Sequence, residues 1–147
     1  MKINKNKTVL SKSIEDIEWY IFDAGEYKLG RLTSKIASIL TNKHKSNYLP
    51  YTGGQSNIII INSKKIQVTG RKNEQKVYKR HSGRPGSMKV ETLQQLRERI
   101  PNRIIESSLR GMLPKNSLGR KLFKKVKIYS SHEHPHQSQN PVKININ

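Results

Sequence analysis

The chain has 147 residues, no cysteine, and 29 Lys and Arg against 10 Asp and Glu, a formal net charge of +19. That length fits one domain with a real core. The lack of cysteine excludes a disulfide framework or a thiolate metal site, and no apolar run approaches the roughly 20 residues that span a bilayer.

Residues 1–18 read as a basic arm. They are rich in Lys and Asn, carry no apolar signal core, and meet Glu15, Asp16 and Glu18 too soon for a transit peptide. Trp19 to Ala24 is aromatic and β-branched enough to form a strand. Gly25 and Gly30 punctuate the turn after it. Leu32, Ile36, Ile39 and Leu40 then recur at i, i+4, i+7 and i+8, so a helix begins near Gly30. Its opposite face carries Arg31, Lys35, Ser38 and Asn42, free for solvent or phosphate.

Thr41 to Gly54 is a loop. Ile58 to Ile61 is apolar on both alternating faces, the pattern of a strand covered from both sides in a parallel sheet. Ile66 and Val68 alternate briefly, Val77 to His81 is a further strand, and Ser82 to Ser87 is a glycine-rich loop. Thr92 and Gln95 form a capping-box pair opening a helix with Leu93, Leu96 and Ile100 on one face. Pro101 ends it and starts the next helix, whose buried stripe is Ile104, Ile105, Leu109 and Met112. The chain should break at Gly111 and Pro114, and Asn116 should cap a short helix carrying Leu118, Leu122 and Val126. A last strand runs from Lys127 to Ser130. This order predicts an α/β fold, a three-layer α/β/α sandwich around a mostly parallel sheet with basic loops and extended terminal tails. The expected organisation is an arm over 1–18, a domain over 19–131 and a tail over 132–147.

The charge is patterned as well as large. No acid occurs from Tyr27 to Asn73 or from Ser107 to His132, whereas a soluble surface normally intersperses both signs. Such an imbalance repels itself when folded and persists most easily beside a polyanion. Nucleic acid is the leading partner and an anionic membrane the second. No helix-turn-helix, zinc-finger or basic-zipper layout is visible, and basic loops of varied shape suit irregular folded RNA better than a regular groove.

Two other chemistries compete. His132, His134 and His136 alternate along an extended segment, which would let three imidazoles converge on a metal. A polar tail lying on RNA uses the same groups as donors and stacking partners, and that is the preferred reading. A metal-dependent RNA-processing enzyme is the alternative, but Asp23 is the only aspartate after Asp16, and two-metal cleavage needs clustered carboxylates. Neither a nucleophile elbow nor a Walker loop is present. No catalysis, cofactor or small-molecule substrate is expected. A non-specific nucleoid protein is a third option, separable because it would bind duplex DNA as well.

The stretch Gly111-Met112-Leu113-Pro114-Lys115-Asn116-Ser117-Leu118-Gly119-Arg120, with Lys127-Ile128-Tyr129 and His134-Pro135-His136-Gln137 after it, resembles the signature of the large ribosomal subunit protein 13 family of bacterial and plastid type. Trp19-Tyr20 with Asp23-Ala24, Leu29 to Leu32, Val68 to Lys72 and His81 to Gly86 agree in the same order. The resemblance implies an α/β/α domain that binds large-subunit ribosomal RNA, helps the subunit assemble, and has protein neighbours, plausibly large-subunit proteins 3 and 20. Charge and resemblance together nominate an RNA-facing set: Arg31, Lys35, Lys43, His44, Lys45, Arg71, Lys72, Lys79, Arg80, His81, Arg84, Lys89, Arg110, Lys115, Asn116, Arg120, Lys121, Lys124, Lys125, His132, His134 and His136. One departure stands out. Thr52-Gly53-Gly54-Gln55 occupies the place of a family Asp-Thr-Gly-Asp turn. The Ile, Lys and Asn bias, with the Arg84-Pro85 and Asn116-Ser117 variants, points to a plastid ribosome, with the bacterial cytoplasm as alternative.

Overall fold

The computed structural model describes residues 17–46 and 48–145. The basic arm expected before Ile17 lies outside the described residues. Strand β1 is Trp19–Asp23, helix α1 Leu29–Leu40 and strand β2 Asn57–Ile61. A short helix α2, Lys72–Gln75, precedes strands β3, Val77–Arg80, and β4, Lys89–Thr92. Helices α3, Leu93–Arg99, α4, Asn102–Met112, and α5, Ser117–Lys124, lead to β5, Val126–Ile128, and finally β6, Val142–Lys143.

The main sheet has the order β5-β2-β1-β6, and all its pairings are parallel. Parallel strands need crossovers, and crossovers are right-handed. The steps from β1 to β2 and from β2 to β5 advance in one direction, so their helices fall on one face. Phe22, Ile58 and Ile60 there share a core with Leu32 and Ile36 of α1, Leu93 of α3, Ile105 and Leu109 of α4, and Leu122 of α5. The last crossover reverses past β1 and so must cross the other face. Ile59, fully buried yet outside that core, belongs to this second face. The expectation for Ile58 to Ile61 holds, because β2 has helices on one side and the C-terminal connection on the other.

Local chemistry fixes the corners. Asp23 Oδ1 accepts from Gly25 N at 2.8 Å and its Oδ2 from Asn62 Nδ2 at 2.9 Å, tying the ends of β1 and β2 together. Thr92 and Gln95 form the expected capping box at α3. Asn116 caps α5, its Oδ1 accepting from Gly119 N at 2.9 Å.

Several expectations change. The strand at Val77 leaves the main sheet and pairs antiparallel with β4 as a separate ribbon. Its adjacent Lys79 and Arg80 point to opposite faces, so a cation would have been buried on each face of a covered strand. Strands β4 and β6 had no legible signal, since neither has an apolar run. Ile100 is 37% exposed, because its backbone leaves the helical region before Pro101 and turns it off the α3 face. Met112 is 44% exposed and Leu113 is buried in its place. Gly111 does not break α4. The helix runs through it, and Leu113 N still donates to Leu109 O at 3.0 Å.

Candidate nucleic-acid interface

The β3–β4 ribbon stands against the outer side of α4, and the gap between them is a cleft of about 440 Å³. Register pairs Arg80 with Lys89 and Tyr78 with Glu91. Arg103, Glu106, Ser107 and Arg110 recur at i, i+3, i+4 and i+7 and therefore share one side of α4. Lys79, Arg80 and Lys89 come from the ribbon, Arg99 from α3, Arg103 and Arg110 from α4, and Lys115 from the connection to α5. Four separate segments thus bring cations to one concavity, where their summed charge raises the local potential.

Neighbours divide these cations into two kinds. Arg99 Nη2 donates to both Glu91 oxygens at 2.6 and 2.7 Å, and the guanidinium holds the Glu91 carboxyl below the usual carboxylate range. The Arg110 guanidinium sits 4.8 Å from the Phe123 ring centroid, an attraction that fixes its position against α5. Lys79, Arg80, Lys89, Arg103 and Lys115 have no ion pair among the described residues. Tyr78 lines the cleft with its hydroxyl buried and unpartnered, and burial pushes its phenol pKa up. Arg99 and Arg103 were absent from the expected set. The apolar stripe is the dominant pattern of α4, and the signal for Arg103 lies opposite it, seven residues before Arg110.

The other nominated residues spread more widely. Arg31 and Lys35 are exposed on α1 and share a shallow depression with Lys28. Lys43 and His44 are exposed after α1, whereas Lys45 is half-buried with its ammonium 3.7 Å from Glu18. Arg71 and Lys72 are exposed at the start of α2, with Lys72 Nζ donating to Thr69 Oγ1 at 3.1 Å. His81 and Arg84 sit at the ribbon tip, where His81 Nδ1 accepts from Gly83 N at 2.9 Å. Positive φ values of 94° and 72° at Gly83 and Gly86 explain the glycines of that loop. Arg120, Lys121 and Lys124 are exposed on α5.

Four residues are engaged by the fold instead. Asn116 spends its side-chain oxygen on the α5 cap. Lys125 Nζ donates to Gly54 O at 2.7 Å, and burial lowers its pKa, so this ammonium ties a loop to the sheet rather than facing outward. His136 packs its ring 5.3 Å from Trp19 and 5.9 Å from Tyr129, and its Nε2 is 2.8 Å from the Tyr129 hydroxyl. His134 Nδ1 accepts from His136 N at 3.3 Å, leaving His132 the outward member of the three. Among the described residues no three His, Cys, Asp or Glu gather as a metal site, and no helix is long and apolar enough to cross a membrane.

A family model described as ribosomal protein L13 matches residues 17–135, from the start of β1 to the edge of the His136 anchor. The chain belongs to the ribosomal protein L13 family. Relatives described as large ribosomal subunit protein uL13 agree over nearly the whole length. One from Picosynechococcus is 54% identical over 132 residues, covering 90% of this chain and 87% of the relative. One from Synechocystis is 54% identical over 144 residues, 97% and 95% of the two chains. One from Prochlorococcus marinus is 51% identical over 143 residues, 96% and 95%. The basic cleft lies wholly inside the span matched to the L13 family, while β6 lies beyond it.

Proposed function

We propose that this L13-family chain is a structural constituent of the large ribosomal subunit that clamps ribosomal RNA and has no catalysis of its own. The observation that carries the reading is the cleft, where Lys79, Arg80, Lys89, Arg103 and Lys115, without ion pairs among the described residues, converge from separate elements braced on one core. Each phosphate neutralised there releases counterions, so affinity falls steeply with salt. The exposed cations of α1, α2, the ribbon tip and α5 extend the contact to further RNA segments.

The test is a salt series on the full chain binding a large-subunit ribosomal RNA fragment. A slope of about −0.9 per duplex phosphate contact means that K79A/K89A/R103A should flatten the plot by roughly 2 to 3 units. An unchanged slope would remove the cleft from the interface. Sedimentation of native extract should carry the chain with the large subunit through a moderate-salt wash.

Finer assignments rest on narrower support. The Ile, Lys and Asn bias favours a plastid ribosome, and the cyanobacterial relatives fit either a plastid or a bacterial one; cell fractionation decides it. The resemblance favours large-subunit proteins 3 and 20 as neighbours, to be tested by cross-linking in intact particles. The functional division is a basic arm over 1–18, the RNA-binding domain over 19–131 and a tail over 132–147.

A further inference from the structure

The fold joins the two acid-free stretches of the sequence along a second groove. Among the described residues, every one that lines it lies between Ser34 and Thr52 or between Met112 and Leu122, and none of these is a carboxylate. Its volume is about 520 Å³, within the range of small-ligand pockets. One side is formed by α1 and the loop after it, the other by the end of α4, Pro114 and α5.

Two glycines build this groove. A Cβ at Gly53 would stand 2.8 Å from Leu122 Cδ2, and one at Gly54 would stand 2.6 Å from Leu40 O. The close approach to the end of α1 requires the missing Cβ at Gly54, whose obstacle is backbone, whereas at Gly53 the Leu118 and Leu122 side chains would have to shift. Lys125 then holds the loop there through Gly54 O. The Thr-Gly-Gly-Gln sequence therefore shapes a wall rather than carrying the acids of the family turn.

The walls are chemically mixed. Tyr48, Pro50, Pro114 and Leu118 offer flat or apolar surface, suited to the faces of an unstacked base. Met112, 44% exposed, lies in the same wall. Lys43 supplies a cation beside it. Three of the lining hydroxyls are directional: Ser34 donates to Arg31 O at 2.9 Å, Thr41 to Ala37 O at 2.8 Å and Thr52 to Leu49 O at 3.1 Å. With their protons spent on backbone, these groups present lone pairs to the groove. The two hydrogens of the exocyclic amino group of adenine, cytosine or guanine can meet two such lone pairs, whereas uracil offers only its single ring N3–H.

We propose that this groove receives a single unstacked ribosomal RNA base bearing an exocyclic amino group, with its phosphate on Lys43. The proposal rests on the RNA-binding reading but concerns a different surface from the basic cleft.

The experiment titrates the full chain with hexamers of adenylate and of uridylate at equal salt, following methyl signals of Met112 and Leu118 and the Arg103 side-chain signal by NMR. Both hexamers carry the same phosphates and should move Arg103. Only the adenylate hexamer should move Met112 and Leu118, and it should bind at least threefold more tightly. T41V/T52V should abolish that preference while keeping the salt slope; T52V alone, at an exposed position, should halve it. If Arg103 moves while the groove methyls stay still, or both hexamers move them alike, the base site is overturned and RNA binding stands. A groove that ignores RNA under those conditions would be left to a protein neighbour. If no signal moves with either hexamer, the RNA-binding reading itself fails, and the base site with it.

Discussion

Replacing Gly119 with alanine tests how tightly the turn into α5 is built. An ideal Cβ there would lie 1.8 Å from the Pro114 carbonyl oxygen and 2.8 Å from its carbon. Both obstacles are backbone, so no rotamer change relieves them, and the turn or the helix must move by about an ångström or more to restore van der Waals distance. That movement also stretches the 2.9 Å cap from Gly119 N to Asn116 Oδ1. Overpacking of this kind costs about 1–3 kcal/mol and a lost cap about 1 kcal/mol, together about 2–4 kcal/mol. For a chain of this size the melting temperature should fall on the order of 10 °C. Gly111 is the control, since nothing lies within 4 Å of its Cβ position. G111A should melt at or slightly above the parent, because alanine favours the helix by up to about 1 kcal/mol. Thermal denaturation followed by circular dichroism reads both. A G119A variant melting within about 2 °C of the parent, or a G111A variant more damaged than G119A, would refute the reasoning.

Three further outcomes follow from the same geometry. K125M should lose about 1–2 kcal/mol of stability, because Gly54 O is left without its charged donor, yet keep the full salt slope for RNA. Burial lowers the folded pKa of Lys125, so the parent's advantage over K125M should grow as pH climbs through that lowered value towards the ordinary lysine range. A flattened salt slope would return this residue to the RNA face. E91Q should lose the contribution of the Arg99 pair at neutral pH. Because the folded carboxyl pKa is depressed, that contribution is fully present above the ordinary carboxylate value and vanishes as pH falls through the folded one. Urea titrations of both proteins should therefore converge in acid, and a constant gap would be contrary evidence. H136L should change the emission of Trp19, the only tryptophan, and speed amide exchange at Val142–Lys143; unchanged exchange would mean that the ring does not anchor the tail.

Periodicity was enough for the parts of the fold that bury a whole face. Leu32, Ile36, Ile39 and Leu40 announced α1, Ile58 to Ile61 announced the central strand, and Thr92 with Gln95 announced the start of α3. Strands β4 and β6 were illegible because their partners, not their own side chains, define them. Lys89-Val90-Glu91-Thr92 is a strand only because Val77–Arg80 lies beside it. The site divides in the same way. Charge counts found Lys79, Arg80, Lys89, Arg110 and Lys115, but only the fold brings them to one cleft and adds Arg99 and Arg103. Lys125 and His136 looked like their neighbours in sequence. Their engagement with Gly54 and with Trp19 depends on contacts across the chain that no local pattern encodes.

The position of β6 bears on the order in which the chain is completed. Tyr20 of β1 pairs with Val142, more than a hundred residues later, so this edge of β1 stays open until residues 142–143 have been made. Contacts of such long sequence separation form slowly, and an unfilled edge is a template for wrong pairing. The cleft needs nothing that late, because it is lined by residues from Tyr78 to Lys115. Synthesis therefore delivers the residues of the proposed phosphate-binding cleft before the strand that covers this edge of the sheet.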